Sequence, residues 1–303
     1  MAPADMRVLV LGEALVDVLM GHHDEAVRSP GGSPANVAVG LARFEHPATL
    51  VCHLARDADG LAIAGWLESA GVALDPASWS AASTPVATVA LGEDGKPEYA
   101  FDVTFSLPDS VALPQGLAAL HVGSYSAFMR PGAAAVLSLV REARRAGVQV
   151  SVDPNVREDL VGPREEALAQ FEALAELADV VKLSDEDHAW LYPGRDEAEV
   201  RQRLHALGVR IVAVTRGGAG ATLSASGRVV DVRAKPVVVA DSVGAGDSFM
   251  SALIHQALLG GADHPWTEPQ LRAAGEFCVT AAAITVSRVG ANPPTRAEVL
   301  AVG

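Results

Sequence analysis

The chain has 303 residues, of which 50% are hydrophobic and 20% are charged. This composition is typical of a folded globular protein with a sizeable core and excludes disordered and fibrous chains. The 37 acidic and 23 basic residues give a net charge of -14. That balance argues against nucleic acid or an anionic membrane as a partner, because both require a basic surface.

The cysteines and the N-terminal segment bear on the cellular compartment. Cys52 and Cys278 lie far apart in apolar stretches, which favours buried thiols over a zinc site or a disulfide framework. The first apolar run is short, with Glu13 and Asp17 close behind it, so it does not predict a signal peptide or a membrane span. We therefore expect a cytoplasmic protein.

Repeated strand and helix patterns predict an α/β fold. Apolar runs without polar alternation are typical of strands buried on both faces of a parallel sheet. Amphipathic stretches at 33–44 and 130–147 predict crossover helices, with proline near the start of each. The predicted strands are 7–12, 48–54, 117–124, 148–153, 179–184 and 210–215.

One region departs from this alternation of strands and helices. Residues 84–105 alternate with period two around a Glu-Asp-Gly-Lys turn, which predicts an antiparallel hairpin. No low-complexity linker divides the chain. We therefore predict a single domain over 1–303, built on a doubly wound, mostly parallel sheet, with a small β lid formed by about 13–32 and 84–108.

The stretch "DSVGAGDSFM", residues 241–250, follows a strand-like run at 237–240 and opens a helix predicted from about Asp247 to Leu259. Backbone N–H groups at such a glycine turn favour a phosphate, and the helix dipole adds positive potential. Phe249 occupies the place of the third glycine of a dinucleotide fingerprint, and the chain contains no Walker A loop. The turn Gly244–Gly246 is therefore interpreted as an anion cradle.

Asp247 follows this cradle directly. A carboxylate there suits a base that takes the proton of a hydroxyl attacking a phosphoryl group, while the amides stabilise the developing charge. With an ordinary pKa of about 3.9, the residue would be ionised at neutral pH without any burial. The alternative is a helix-initiating turn in which Asp247 only complements the helix dipole.

Three further stretches carry glycines or polar residues at predicted element ends. "SPGGSPANVAVGLARF" includes paired glycines that let a small ligand approach the backbone. "SVDPNVRE" ends a predicted parallel strand, where open α/β sheets carry their sites, although a proline turn is an equal alternative. "VTRGGAGATL" forms a close bend that would admit a nucleotide, or a loose hairpin turn.

These motifs, in this order, resemble the ribokinase-like (PfkB) family of carbohydrate kinases over nearly the whole chain. "GGSPANVAVGLARF" and "DSVGAGDSF" carry most of the resemblance, with "GSYSAF", "DPNVRE", "KLSDED" and "VTRGGAGA" between them. The resemblance implies a three-layer α/β domain with a β lid over the sugar. It also implies transfer of the γ-phosphoryl group of ATP to a sugar hydroxyl.

The same resemblance implies roles for individual residues. Asp247 would be the base and Gly244, Ala245 and Gly246 its anion hole, with Arg157 near the transferred phosphate. The sugar would be held by Asp17, Gly31, Gly32, Asn36 and Asn155. ATP would be bordered by Thr215, Gly217, Gly218, Gly220 and Lys182.

Metal ions and self-association are implied in the same way. The Asn-x-x-Glu motif that handles magnesium in this family is replaced here by residues 184–187, leaving Asp187 and Glu186 as candidate Mg²⁺ ligands through water. Oxygens of Asp241, Ser242 and Ser287 could hold a potassium ion. Lid hairpins in the family pair across a homodimer, which we expect here.

Three motifs bear on the identity of the sugar. "GEALVD", "GSYSAF" and "DPNVRE" look more similar to the fructokinase and 2-keto-3-deoxygluconate kinase branch than to ribokinase. We favour fructose because the hairpin at 84–105 offers only Lys96 to an acidic sugar, although Arg28, Arg130 or a partner subunit could supply charge. A ribokinase-type activity would also fit these residues, as would a non-catalytic sugar or nucleotide sensor. Phe249 disfavours a nicotinamide-dependent dehydrogenase.

Overall fold

A computed structural model describes residues 2–20, 26–91, 97–108, 110–261 and 265–302. These residues form strands and helices that alternate along much of the chain. The strands are β1 (Arg7–Leu11), β2 (Leu15–Met20), β3 (Ala26–Gly31), β4 (Ala48–Val51), β5 (Ala73–Leu74), β6 (Val86–Leu91), β7 (Pro97–Asp102), β8 (Leu117–Gly123), β9 (Gln149–Asp153), β10 (Val180–Ser184), β11 (Ile211–Thr215), β12 (Ala221–Ala225) and β13 (Arg228–Val232). The helices are α1 (Ser33–Arg43), α2 (Ala58–Ser69), α3 (Gly132–Arg145), α4 (Glu158–Val161), α5 (Arg164–Ala175), α6 (Asp185–Leu191), α7 (Glu197–Ala206), α8 (Ala245–Gly260), α9 (Glu268–Val286) and α10 (Arg296–Val302).

The larger sheet has nine strands in the order β13-β12-β11-β10-β9-β8-β1-β4-β5. Its pairs are parallel from β5 to β11, and β12 and β13 add an antiparallel edge. The order runs outward from β1 in both directions, as in doubly wound folds. All six predicted strands are present, and the predicted helices at 33–44 and 130–147 correspond to α1 and α3.

The core lies on both faces of this sheet. Side chains of β1 alternate between two clusters, with Val8 and Val10 packed in one and Leu9 and Leu11 in the other. The first cluster includes α1, α8 and α9, and the second includes α3, α5 and α7. Because every residue of such a strand is buried on one side or the other, the sequence shows no polar alternation. The result is three layers, helix on sheet on helix.

The smaller sheet has four strands in the order β3-β2-β6-β7. It contains the predicted hairpin, since β6 and β7 pair antiparallel, whereas residues 92–96 of the connecting turn lie outside the described residues. Val16 and Val18 of β2 are buried, but Leu19 is 58% exposed and Val27 on β3 is 63% exposed. Register places these two residues opposite each other, so part of this sheet presents apolar side chains to solvent.

Two local predictions need correction. The run 237–240 is not a strand: it is an irregular, exposed segment, and Val238 is 87% exposed. Its valines suggested a strand, but the segment joins α9 through the N–H groups of Ala240 and Asp241, which donate to Val286 O. The helix predicted from Asp247 begins earlier, at Ala245, and ends at Gly260.

Other expectations concern buried groups and membranes. Cys52 and Cys278 are both free and buried, as the apolar stretches around them indicated. In the described parts of the chain, we find no helix with the length and apolar character needed to cross a membrane. His22 and His23, which precede two acidic residues in the sequence, lie outside the described residues.

Candidate active site

The carboxyl ends of the parallel strands meet at one edge of the larger sheet, where open α/β folds carry their ligands. Asp153 ends β9, Ser184 ends β10 and Thr215 ends β11, and Ser184 lies opposite Thr215 in the register. The glycine turn 244–246 and the first turn of α8 lie at the same edge, since Gly246 lies close to Lys182 of β10. These residues were predicted from separate stretches, and the fold gathers them along one edge.

Gly244 is the N-cap of α8 and has a left-handed backbone, with φ of 76°. A Cβ at this position would lie 2.7 Å from the Cβ of Ala291, so both the backbone and the available space require glycine. The amides that follow begin α8 and have no partner one turn earlier in the helix. With the helix dipole, they form a site suited to an anion.

Asp247 lies in the first turn of α8 and is only 8% exposed. Its two carboxylate oxygens accept hydrogen bonds from α1: Ser33 Oγ donates to Oδ1 at 2.6 Å and Asn36 Nδ2 donates to Oδ2 at 2.8 Å. Burial raises the pKa of Asp247, while these donors, Lys182 and Arg157 act to lower it. The ordinary pKa assumed from the sequence, for which no burial was needed, is therefore corrected: burial holds the pKa of this carboxyl above its usual value.

Asp17 lies on β2 in the smaller sheet and faces the same region. A Cβ on Gly31 would overlap Asp17 Oδ2, so glycine is what allows the carboxylate to lie against the chain. Gly32 has φ of +106°, and a Cβ there would be 2.8 Å from Glu13 O. Burial raises the pKa of Asp17 to about 6; the charge of Arg157 opposes this rise and that of Asp247 adds to it. The structure therefore brings Asp17, Arg157 and Asp247 within electrostatic reach of one another.

Asn36 and Asn155 have distinct surroundings. Besides its bond to Asp247, the buried Asn36 carries an Oδ1 atom that has no hydrogen-bond partner among the described residues, which leaves an acceptor for a ligand hydroxyl. Asn155 has a positive φ of 35°, and its Oδ1 accepts from Arg157 Nη1 at 3.0 Å. This hydrogen bond orients the guanidinium group of Arg157 in the loop after β9.

The candidate magnesium residues lie beside a pocket between this loop and α6. Asp187 already accepts three hydrogen bonds, from Val156 N at 2.7 Å, Ser184 N at 2.9 Å and Ser184 Oγ at 2.7 Å. Ser184 is the N-cap of α6, so Asp187 completes a capping box at the third position of the helix and also fixes the loop, whereas Glu186 is exposed on the first turn. The pocket is lined by Asn155, Val156, Arg157, Glu158, Ser184, Glu186, Asp187 and Trp190.

The candidate potassium residues lie in two loops that contact each other. Asp241 Oδ1 accepts from Val243 N at 3.0 Å and its Oδ2 accepts from Gly290 N at 2.9 Å. Ser287, at the end of α9, donates to Ile284 O. Asp241 therefore ties the segment before Gly244 to the loop after α9. Within the described ranges, no group of three or more His, Cys, Asp and Glu residues is arranged to hold a metal ion.

The predicted ATP residues after β11 form a tight turn. Gly217–Ala219 is a 3-10 turn between β11 and β12, which pair antiparallel, so the hairpin alternative describes its backbone correctly. Gly220 has φ of +96°, and its Cα faces the backbone of β13. Gly217 and Gly218 are exposed at the end of the strand next to Ser184. Lys182, by contrast, is buried and pairs with Asp153 at 2.7 Å.

Comparison with known proteins gives a consistent result. Residues 6–298 match the model of the pfkB family carbohydrate kinases. The chain belongs to this family. Fructokinase-1 of Zea mays is 32% identical, over 99% of this chain and 98% of its own. The resemblance stated from the motifs, and the sugar kinase class that it implied, are confirmed.

Solved structures agree with the family assignment and with the ribokinase-like fold. A fructokinase from Xylella fastidiosa with bound ATP superposes with a TM-score of 0.86 at 25% identity, covering 100% of this chain and 98% of that one. A double mutant of the fructokinase from Vibrio cholerae O395, with fructose, ADP and potassium ion bound, has a TM-score of 0.82 at 26% identity. It covers 98% of this chain and 97% of that one.

Some residues of the site were missed from the sequence. Ser33 begins the predicted helix at 33–44, and its hydrogen bond to the candidate base was not predicted. Glu13 is 3% exposed and its pKa is raised by burial, against the effect of Ser124 and Ser126. Asp153 is the last residue of the predicted strand 148–153, and no role was predicted for it, while its partner Lys182 was predicted to border ATP. A charged residue inside the apolar run "DVVKLS" was the available signal, because a buried cation requires a counterion.

Proposed function

We propose that this chain is an ATP-dependent fructokinase in which Asp247 is the catalytic base. The observation that carries the proposal is a buried carboxylate with a raised pKa, placed directly after the glycine turn at the start of α8. A base and an anion site side by side are what transfer of a phosphoryl group to a hydroxyl requires. The match to a carbohydrate kinase family supports the sugar as acceptor.

In the proposed mechanism, Asp17, Gly31, Gly32, Asn36 and Asn155 bind the sugar so that one hydroxyl faces Asp247. Asn36 Oδ1, which is unpaired within the part of the chain that the structure describes, accepts from a sugar hydroxyl. As that oxygen attacks the γ-phosphorus, the bond between the γ-phosphorus and the bridging oxygen breaks, ADP leaves, and Asp247 takes the proton of the hydroxyl. The amides of Gly244, Ala245 and Gly246 stabilise the charge on the transferred group, and Arg157 adds a cation.

The smaller sheet is proposed as the lid of a single domain that spans 1–303. It carries Asp17 and Gly31 and packs against the larger sheet through Val16 and Val18, which belong to the first core cluster. A lid of this kind would exclude water from the attacking hydroxyl, which favours transfer to the sugar over hydrolysis of ATP.

ATP is proposed to lie along the carboxyl edge of β10 and β11 and over the loops around Gly244. Thr215, Gly217, Gly218 and Gly220 would border the phosphates and ribose. Val238 is 87% exposed and Val289 is 83% exposed on the two loops that Asp241 joins. Apolar side chains in such positions suit contact with a nucleotide base.

Magnesium and potassium fit this site in different ways. Glu186 is the exposed carboxylate that would hold Mg²⁺ through water, while Asp187 would act mainly by fixing α6 and the loop at Val156. Mg²⁺, once bound with ATP, neutralises charge on the phosphates. For potassium, Asp241 would hold together the two loops around the ion, because it accepts hydrogen bonds from both. The hydroxyl oxygens of Ser242 and Ser287 would then be available as ligands.

Fructose is favoured over an acidic sugar such as 2-keto-3-deoxygluconate. Arg28, one candidate cation, is paired with Asp59, and Arg130 is an exposed residue 3.5 Å from Glu166. Lys96 lies outside the described residues. Among the described residues, Arg157 is the cation whose charge acts on Asp17, and the mechanism uses it for the phosphoryl group. The fructokinases among the relatives point to the same sugar.

A homodimer is proposed through the smaller sheet. Leu19 and Val27 are opposite each other on β2 and β3, and both are more than half exposed. An exposed apolar pair on a sheet face is suited to a second copy of the same sheet.

The cytoplasm is the proposed location. The free, buried thiols of Cys52 and Cys278 support it, because unpaired cysteines persist in a reducing compartment.

The test is ADP release by the purified protein with ATP, MgCl₂ and a panel of fructose, ribose, glucose and 2-keto-3-deoxygluconate. We expect the highest kcat/KM with fructose. Turnover with the keto acid alone would overturn the fructose assignment. Calorimetric sugar binding without ADP release from any sugar would overturn the kinase and support a sensor.

A further inference from the structure

Lys182 is a buried cation in the middle of the larger sheet. Its side chain is 4% exposed, and its Nζ lies 2.7 Å from Asp153 Oδ2, whose residue is 1% exposed. The pair follows from the register, since Val181 of β10 lies opposite Val152 of β9 and the next residues are Lys182 and Asp153. Burying two charges is costly, and apolar residues of similar size would often stabilise a fold as well. The pair is therefore a candidate for a functional role.

The ammonium lies against the first turn of α8. A Cβ on Gly246 would be 3.3 Å from Lys182 Nζ and 3.8 Å from its Cε. Lys182, on β10, thus approaches the turn Gly244–Gly246 from the side of the larger sheet. At 4% exposure it has little surface for direct contact with ATP, in contrast to the role first expected from the sequence.

Several charged groups surround this ammonium. Burial alone would lower the pKa of Lys182, but nearby carboxylates outweigh it and raise the pKa. His121, on β8 at the far side of β9, stays neutral at pH 7, because burial and the charge of Lys182 lower its pKa to about 3. The carboxylates that face Lys182 are Asp153, Asp187 and Asp247. The groups that face Asp247 are Lys182, Arg157, Asp17 and Asp153.

We propose that Lys182 is a positioning residue for phosphoryl transfer: Asp153 fixes its ammonium behind the Gly244–Gly246 turn, where it stabilises the ionised carboxylate of Asp247. The same charge adds to the positive potential that the amides present to the transferred group. This inference rests on the proposed function of Asp247 as the base. It assigns the buried ion pair an electrostatic role beyond holding β9 and β10 together.

Three variants separate that role from a structural one. Lys182→Met removes the cation and leaves Asp153 unpaired, so it is compared with the charge-neutral double variant Lys182→Met/Asp153→Asn. The third variant, Asp153→Asn, keeps the ammonium. Lys235→Met, at a surface lysine paired with Glu276, is the matched control for loss of a lysine.

The first measurement is the pH profile of kcat for fructose phosphorylation. We expect kcat to fall about tenfold or more in the double variant, even where its Tm matches the wild type, and its acid limb to move to higher pH. In Lys182→Met the acid limb should move up by about one pH unit. In Asp153→Asn it should move in the opposite direction. A double variant with wild-type kcat and acid limb would overturn the proposal, because Lys182 would then serve only to neutralise Asp153.

The second measurement needs no turnover. The carboxyl carbon of Asp247, followed by ¹³C NMR in the free protein, should titrate at higher pH in the double variant than in the wild type or Lys235→Met. An unchanged midpoint would contradict the proposal. If the wild type phosphorylates no sugar, the proposed function fails, while this titration still decides whether Lys182 controls the ionisation of Asp247.

Discussion

The first turn of α8 and the smaller sheet hold the two candidate carboxylates of the site in different ways. Asp247 is 8% exposed, accepts hydrogen bonds from two residues of α1 and lies on a helix inside the core. Asp17 is half-buried on a sheet in which Leu19 and Val27 face solvent. The proposed base thus has a fixed environment, while the proposed sugar-binding carboxylate lies on the less enclosed element. Changes near α8 should therefore affect kcat, and changes in the sheet should affect sugar binding or association.

The largest effect is expected from Asp247→Asn. The amide keeps the shape of the side chain but cannot take a proton, so kcat should fall at least roughly 10²-fold. Burial disfavours the charge of Asp247, so the Tm should stay the same or rise. Steady-state kinetics, with ATP affinity measured by calorimetry as the control, check this. Near-normal kcat would remove Asp247 from the role of base.

Gly244→Ala should have the next largest effect. The left-handed φ of 76° and the contact with Ala291 make a Cβ costly here, by about 1 to 3 kcal/mol of unfolding free energy. Displacement of the turn should also lower kcat about tenfold. Gly116→Ala is the matched control, because Gly116 has a similar φ of +71° and nothing within 4 Å of its Cβ position. Equal kcat in the two variants would argue against the turn as an anion cradle.

The raised pKa of Asp17 predicts that fructose binding, measured in the absence of ATP, depends on pH. Because its pKa is raised to about 6, the ionised acceptor is present above that pH and is lost as the pH falls through it. The Kd should then rise by up to about tenfold per pH unit. Asp17→Asn should weaken binding about tenfold and abolish this dependence, whereas Asp102→Asn, at an exposed position of the same sheet, should not. A pH-dependent Kd in Asp17→Asn would contradict the assignment.

The smallest effect on catalysis is expected from Leu19→Lys/Val27→Lys. The two charges should prevent association of the smaller sheets, which analytical ultracentrifugation would detect as a monomer, with kcat changed by only a small factor. Leu61→Lys, at a residue 55% exposed on α2, is the control. A dimer that persists in the double variant would place the interface elsewhere.

Much of the fold followed from local patterns. Strands such as β1 and β10 were predictable because residues on both of their sides are buried, and α8 because a glycine turn precedes an apolar helix. The run 237–240 was misassigned, since three consecutive valines suggest a strand wherever they occur. No feature of the sequence indicated that this segment would be exposed and lie beside the N-terminus of α8.

The site was predictable in outline and not in its contacts. Gly244 and Asp247 were identified from the order of residue types. The bonds from Ser33 and Asn36 to Asp247 could not be, because more than 200 positions separate the partners. The pairing of Lys182 with Asp153 depends on the register of β9 and β10. The role of Asp187 in a capping box with Ser184 was not predicted, because the start of α6 at Asp185 was not.

The most direct test of the proposed activity follows phosphorus by ³¹P NMR during incubation of the wild-type protein with fructose, ATP and MgCl₂. We predict that ADP and a fructose phosphate form in equal amounts, with the γ-phosphoryl group transferred to the sugar. Formation of ADP with inorganic phosphate alone, or unchanged ATP despite bound fructose, would contradict it.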